Sequence, residues 1–300
     1  MCPVTDDLTL HSISRAFDGR PVLKEVSFRV AAGRLTGFVG GNGAGKTTTM
    51  RIILGVLAAD SGQVTWRGAP LTRAARQRFG YMPEERGLYP KATVREQIVY
   101  LGRLHGLTRQ AAAGNAAALL ERLGLAERAD DKLETLSLGN QQRAQIAAAL
   151  VHDPEVLILD EPFSGLDPLA VDASLAVLRE YADRGVPVLF SSHQLDVVER
   201  LCDDLVIIAD GMIRAAGTRE ELRAAYAQPR FEIVLGGDAG WLSDQPDVTV
   251  VELDGDRAVF DLAPGADDQA VLRAALARGP VRAFRPVSPS LAEIFREVYR

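Results

Sequence analysis

The sequence predicts an α/β fold with an antiparallel β subdomain and a helical insertion, followed by a small α+β domain. Three observations carry that reading. Residues 35–57 pass from a short apolar stretch through a glycine-rich loop into an apolar helix. Val156-Leu157-Ile158-Leu159 and Val186-Pro187-Val188-Leu189-Phe190-Ser191-Ser192 are bounded by turn residues, the pattern of strands buried on both faces. At Ala227-Gln228-Pro229 the chain changes character, which divides it into a domain over residues 1–227 and a second over 228–300.

In chain order, residues 8–39 alternate apolar and polar positions (Leu8, Leu10, Ile13; Val26, Phe28, Val30) around the turn Asp18-Gly19-Arg20-Pro21. They read as antiparallel strands leading into the loop. Phe17 stands at that turn, where an aromatic ring either joins the core or offers a face for stacking on a base. The loop, Gly40-Gly41-Asn42-Gly43-Ala44-Gly45-Lys46-Thr47-Thr48, has the form G-x-x-x-x-G-K-[ST], with the strand Leu35-Thr36-Gly37-Phe38-Val39 before it and a helix over residues 48–57 after it. Glycines let the backbone curl until successive amides point at a phosphate chain, and the helix N-terminus adds its dipole. Lys46 then reaches the terminal phosphates, and the Thr47 hydroxyl ligates magnesium. Lysine is a selective choice here. Lys24, Lys46, Lys91 and Lys132 are the lysines among 34 basic residues, so arginine serves wherever any cation suffices.

Residues 60–68 read as a turn and strand, and Phe79-Gly80-Tyr81-Met82-Pro83-Glu84-Glu85 as a strand running into a loop. A helical insertion occupies about residues 85–150, with alanine-rich runs and stops at Gly106 and Gly124. Its last helix opens on Leu136-Ser137-Leu138-Gly139-Asn140-Gln141-Gln142-Arg143. Ser137 is an N-cap and no acidic residue follows in the first turn, so the helix is either ordinarily capped or holds its amides open to an anion. The strand ending in Asp160-Glu161 places two carboxylates at its C-terminal edge, where burial is costly without a task. After a phosphate-binding loop the task is clear: Asp160 holds magnesium and Glu161 polarises an attacking water. Ser164-Gly165-Leu166-Asp167-Pro168 is a tight turn that starts a helix running to about Asp183. His193 follows the strand 186–192, a setting from which a neutral imidazole bonds a γ-phosphate; His11, His105 and His152 lack it and read as surface or core. Strands at 205–209 and 212–216 flank Asp210-Gly211, and a helix starts at Thr218. Beyond the linker, strands at 231–236, 248–253, 257–262 and 281–287 and helices at 267–278 and 290–299, the latter capped by Ser290, make an accessory α+β module.

Composition bounds the function. A 300-residue chain supports one large and one small domain, and 47% hydrophobic with 25% charged residues is ordinary for a globular protein. A net charge of −6 argues against a nucleic-acid partner. Cys2 and Cys202 make no disulfide or metal framework, which fits a reducing cytosol. Residues 1–7 carry acidic groups and no apolar core, so no signal peptide is expected, and no apolar run nears the ~18 residues that span a bilayer.

Together these motifs resemble the ATP-binding subunits of ABC transporters over residues 8 to about 226. Residues 40–48 match that family's Walker A loop, Val156 to Glu161 its Walker B strand and catalytic glutamate, Ser164 to Asp167 its D-loop, His193 its switch histidine, and Phe17 its adenine-stacking aromatic. Two positions depart from the pattern. The L-S-G-G-Q signature reads Leu136-Ser137-Leu138-Gly139-Asn140, keeping the Ser and second Gly that touch the γ-phosphate, and Glu84 replaces the glutamine that contacts magnesium. The stretch Met82-Pro83-Glu84-Glu85-Arg86-Gly87-Leu88-Tyr89-Pro90 and the ending Pro289-Ser290-Leu291-Ala292-Glu293-Ile294-Phe295 are similar to a bacterial subgroup of sodium-efflux and antibiotic-resistance exporters. The resemblance implies a P-loop ATPase using ATP and Mg2+, with Glu161, His193 and Lys46 catalytic and Thr47, Asp160 and Glu84 at the metal. It implies ATP held by Phe17, residues 40–48, Glu84, Ser137, Gly139, Asn140 and Asp167 across a homodimer or paired ATPase subunit. It further implies a membrane permease on another chain, a location on the cytoplasmic face of the cell membrane, and no nucleic acid. Two rivals are a soluble ABC-type ATPase acting on ribosomes or DNA, and a P-loop kinase with residues 228–300 as substrate domain.

Overall fold

The computed structural model describes residues 6–85, 87–226, 229–287 and 293–295. The chain divides into two compact units, Met1–Arg219 and Glu220–Arg300. The division falls a few residues before the linker read from the sequence at 227–228, so that the short helix α8 (Arg219–Ala225) lies almost wholly in the second unit.

The first unit contains two sheets. β1 (Leu8–Phe17), β2 (Arg20–Val30), β4 (Ser61–Trp66) and β5 (Ala69–Pro70) form an antiparallel sheet in the order β2-β1-β4-β5. β3 (Leu35–Val39), β6 (Phe79–Met82), β7 (Val156–Leu159), β8 (Val188–Ser192), β9 (Asp204–Ala209) and β10 (Met212–Thr218) form the other, in the order β10-β9-β3-β8-β7-β6. All of its pairings are parallel except that of β10, which returns antiparallel along β9. Residues 8–39 therefore do not make one antiparallel series, because β3 departs to the centre of the parallel sheet. Its five residues are all buried, whereas β1 and β2 each keep exposed positions on one face.

Helix α1 (Lys46–Ile53) packs between the sheets. Met50, Ile52 and Ile53 join Leu10, Phe28, Phe38, Trp66 and Ile158 in one buried cluster. Each such side chain contributes about 1.5–3 kcal/mol by leaving water, and the Phe28 and Phe38 rings lie 5.1 Å apart. The helix stops at Ile53, short of the expected 57, because Gly55 turns the chain with φ +72° and leaves Val56 73% exposed.

The insertion consists of α3 (Val94–Leu104), α4 (Arg109–Arg122) and α5 (Leu138–Leu150), each started by a hydroxyl cap: Thr93, Thr108 and Ser137. Thr93 and Glu96 complete a capping box. α6 (Pro168–Asp183) starts on Asp167, whose Oδ1 accepts from the Ala170 amide at 2.8 Å. Two short helices, α2 (Arg73–Arg76) and α7 (Leu195–Leu201), had no counterpart in the sequence reading.

The second unit pairs β11 (Arg230–Leu235), β12 (Val248–Asp254), β13 (Arg257–Leu262) and β14 (Val281–Pro286) in the antiparallel order β12-β13-β11-β14. Helix α9 (Asp268–Arg278) buries Val271 and Ala275 with Ile233, Phe260 and Leu262. Of the helix expected at 290–299, the described residues are 293–295, which are helical; Ser290 lies outside them.

Candidate functional site

Three parallel strands end side by side, and their C-terminal edges supply the site: β3 runs into the glycine loop, β7 into Asp160 and Glu161, and β8 into His193. A cleft of about 650 Å³ opens there. Gly41, Asn42, Gly43, Gly45, Lys46, Thr47 and Thr48 line it from the loop, Phe17 from the end of β1, and Glu84, Asp160, Glu161 and His193 from the other strands. Phe17 is 41% exposed beneath the Arg15 guanidinium at 4.8 Å, so its ring is not core.

The loop shows why its composition is needed. Gly45 has φ +109°, a conformation closed to other residues, and a Cβ there would meet Leu23 Cδ2 at 2.5 Å. No side chain caps α1 and its first turn holds no acidic residue, so the helix end presents its dipole and amides to the cleft. Lys46 is 8% exposed and donates through Nζ to Gly40 O at 2.6 Å and Gly41 O at 3.3 Å. Gly40 and Ala44 are not among the lining residues. Ala44 packs in the core, and a Cβ on Gly40 would lie 2.6 Å from Ile208 O.

Opposite the loop, the Thr47 hydroxyl donates to Asp160 Oδ2 at 3.0 Å, and the Ser191 hydroxyl donates to Asp160 Oδ1 at 2.5 Å. Asp160 is 1% exposed. Glu161 is held in the left-handed region with φ 51°, a strain of about 1–3 kcal/mol that surrounding bonds must hold. Its amide donates to Ser191 Oγ at 2.8 Å, and its carbonyl accepts from Gln142 Nε2 at 2.8 Å. His193 Nδ1 lies 3.0 Å from Glu161 Oε1. With a carboxylate as partner, that nitrogen carries the proton. Burial, and then the charge of Asp160, push the Tyr81 hydroxyl at the end of β6 above its ordinary value.

Ser137, Gly139, Asn140 and Asp167 are not brought into this cleft. Ser137 Oγ accepts from the Asn140 amide at 3.3 Å, Asn140 Oδ1 accepts from Arg143, and Leu138 between them is exposed. Asp167 is occupied as the cap of α6. Sequence reasoning missed Ser191 and Gln142; the only trace of either was a polar residue at an apolar strand or helix position.

The arrangement joins an anion-binding loop, a hydroxyl and carboxylate pair suited to a hard cation, and a buried carboxylate paired with imidazole. The family described as ABC transporter matches residues 23–164. The uncharacterized ABC transporter ATP-binding protein YhaQ of Bacillus subtilis is 36% identical over 290 residues, 97% of either chain. This chain belongs to the ABC transporter ATP-binding proteins. It is an ATPase and the ATP-binding subunit of a transporter. A second family, described as ATP-binding protein DrrA1-3-like, C-terminal domain, matches residues 217–299. The Nod factor export ATP-binding protein I of Burkholderia lata is 40% identical over 241 residues, 79% of each chain. A solved structure described as the ATP binding subunit of an ABC transporter superposes with a TM-score of 0.68 at 32% identity, covering 73% of this chain and 92% of that one. Such ABC subunits act with membrane permeases, and no helix among the described residues is long and apolar enough to cross a membrane.

Proposed function

We propose that this ABC ATPase powers an exporter as a head-to-tail pair. Each copy would close ATP between its own loop, residues 40–48, and the other copy's Ser137, Gly139 and Asn140. One observation carries the reading: the first turn of α5, capped by Ser137 and free of acidic residues, lies outside the cleft that Lys46, Thr47, Asp160 and Glu161 line in the same chain. A helix end with no acidic residue in its first turn suits phosphate, and a second copy supplies one.

Within each site Phe17 stacks on the adenine, while Lys46 and His193 stabilise the γ-phosphate. Thr47 and Asp160 fit Mg2+ because their oxygens, 3.0 Å apart, are hard donors, with Glu84 a further carboxylate on the same cleft. A magnesium ion held by Thr47 and Asp160 would supply charge neutralisation to the bound phosphates. Glu161 orients and deprotonates water, the imidazole N–H of His193 passing from the Glu161 carboxylate to the γ-phosphate once ATP is in place. Asp167 shapes the turn 164–167 that meets the second copy.

The export direction follows the relative named for Nod factor export. For the permease, a groove lined by Val56, Tyr81, Pro83, Leu88, Leu101 and His105, with Tyr100 and Leu104 exposed on the same helix as Leu101, offers an apolar surface suited to a partner's helix. That partner would hold the chain at the cytoplasmic face of the membrane. The kinase reading falls with the family assignment.

Glu161→Gln tests the proposal. It is expected to bind ATP, lose at least 100-fold in turnover and run as a dimer on sizing only with ATP present. Full turnover would remove Glu161 as base, and a monomer at saturating ATP would remove the paired site.

A further inference from the structure

Helix α5 touches the catalytic apparatus of its own chain at a point no motif describes. Gln142, one turn in from the N-cap Ser137, is 7% exposed, and its Nε2 donates to the carbonyl of Glu161 at 2.8 Å. That carbonyl also accepts from the Ser164 amide at 3.2 Å, the first bond of the turn leading to Asp167. A second contact lies beside it: a Cβ on Gly139 would meet Gly165 O at 3.3 Å and Leu166 Cδ2 at 3.5 Å, so the first turn of α5 rests on the same segment. Three residues after Gln142, on the same helix face, buried Gln145 donates through Nε2 to Glu85 O at 3.3 Å, next to Glu84. A helix is stiff along its axis, so a shift at Ser137 is carried to both glutamines rather than absorbed between them.

From these contacts we infer that Gln142 is a positioning residue, which ties the first turn of α5 to the strained backbone of Glu161. Nucleotide engaged at Ser137 and Gly139 thereby sets the geometry of the carboxylate serving this chain's own cleft. The inference rests on the paired-site reading above, in which that nucleotide belongs to the other copy. Glu161 holds φ 51° between two side-chain clamps, Ser191 on its amide and Gln142 on its carbonyl. Only the second of these comes from the helix that faces a second copy. With that clamp in place the two sites fire together; without it, each Glu161 relaxes independently of what its neighbour holds.

The test is ATP titration of the full chain carrying Gln142→Met, which keeps the length of the side chain and removes its donor. Turnover is expected to fall about 10- to 100-fold, the cost of misplacing a reacting group by roughly an ångström. The affinity for a fluorescent ATP analogue should stay within about 2-fold, and the Hill coefficient for ATP should drop toward one. Wild-type turnover and cooperativity in a folded Gln142→Met protein overturn the inference. If that variant fails to bind nucleotide at all, Gln142→Glu, which preserves volume but sets an acceptor against the carbonyl, replaces it with the same criteria. Measuring Gln142→Met beside Glu161→Gln separates the two ideas. An ATP-dependent dimer in Glu161→Gln with unaltered cooperativity in Gln142→Met sinks the clamp alone, whereas no dimer in Glu161→Gln sinks the paired site and the coupling with it.

Discussion

Two serines in this protein are each 0% exposed, and the structure sends their alanine variants in opposite directions. Ser191 donates to Asp160 Oδ1 at 2.5 Å and accepts from the Glu161 amide at 2.8 Å. Ser191→Ala strips a buried carboxylate of one donor, worth about 1.5–3 kcal/mol, and leaves a buried amide unpaired at a further ~1–3 kcal/mol. Thr47 still donates to the other oxygen of Asp160, which argues for the lower half of that sum, about 3 kcal/mol. At ~2–4 °C per kcal/mol for a unit of this size, the melting temperature should fall by roughly 6–12 °C. Ser174, on α6, has a hydroxyl with no hydrogen-bond partner. Ser174→Ala removes only a desolvation penalty, so it should leave stability unchanged or raise it by up to about 1 kcal/mol. Calorimetric melts of the two variants beside the parent decide the matter. Equal melting temperatures for Ser191→Ala and Ser174→Ala would refute the assignment of Ser191 as the pin that holds the Asp160 carboxylate and the Glu161 amide.

Two further measurements test the buried His152 and the proposed stacking role of Phe17. Burial, and then the charge of His105 stacked 3.6 Å away, lowers His152 to about pKa 4, with Nε2 bonded to Phe79 O at 3.1 Å. The unfolded chain takes up this proton near pH 6.5 and the folded chain only near 4, so stability is complete above 6.5 and declines as pH falls, by on the order of 3 kcal/mol in all. His152→Leu should flatten the difference between urea midpoints at pH 7.5 and 5.0; an unchanged difference would place the proton elsewhere. Phe17→Ala should weaken ATP binding about 10-fold or more, from ~1–3 kcal/mol of lost stacking, while tripolyphosphate affinity stays constant. Equal losses for both ligands would move Phe17 off the base.

Much of the fold and site is legible in the sequence where its causes are local. The glycine loop and the helix after it follow from φ requirements and the G-x-x-x-x-G-K-[ST] spacing within nine residues. Continuous apolar runs mark β7 and β8, and Asp167 before Pro168 marks α6. Short elements escaped for a physical reason: α2 has four residues and α7 seven, too few turns for a helical period to stand out. The placement of β3 escaped as well, since its partners β8 and β9 lie far along the chain.

What the sequence determined by itself is the chemical inventory at the site: the phosphate loop with its one suitable lysine, two carboxylates at a strand end, a histidine at the next strand end, and a serine-started helix with no acidic residue in its first turn. What only the tertiary structure decided is how those groups are held and which of them meet. Asp160 finds Ser191 across 31 residues and Thr47 across 113, and Glu161 is clamped by Gln142 across 19. Those bonds depend on sheet order and on how α5 lies against the strand ends, which no local propensity encodes, because a side chain's partner across a packed interface is chosen by every element between them.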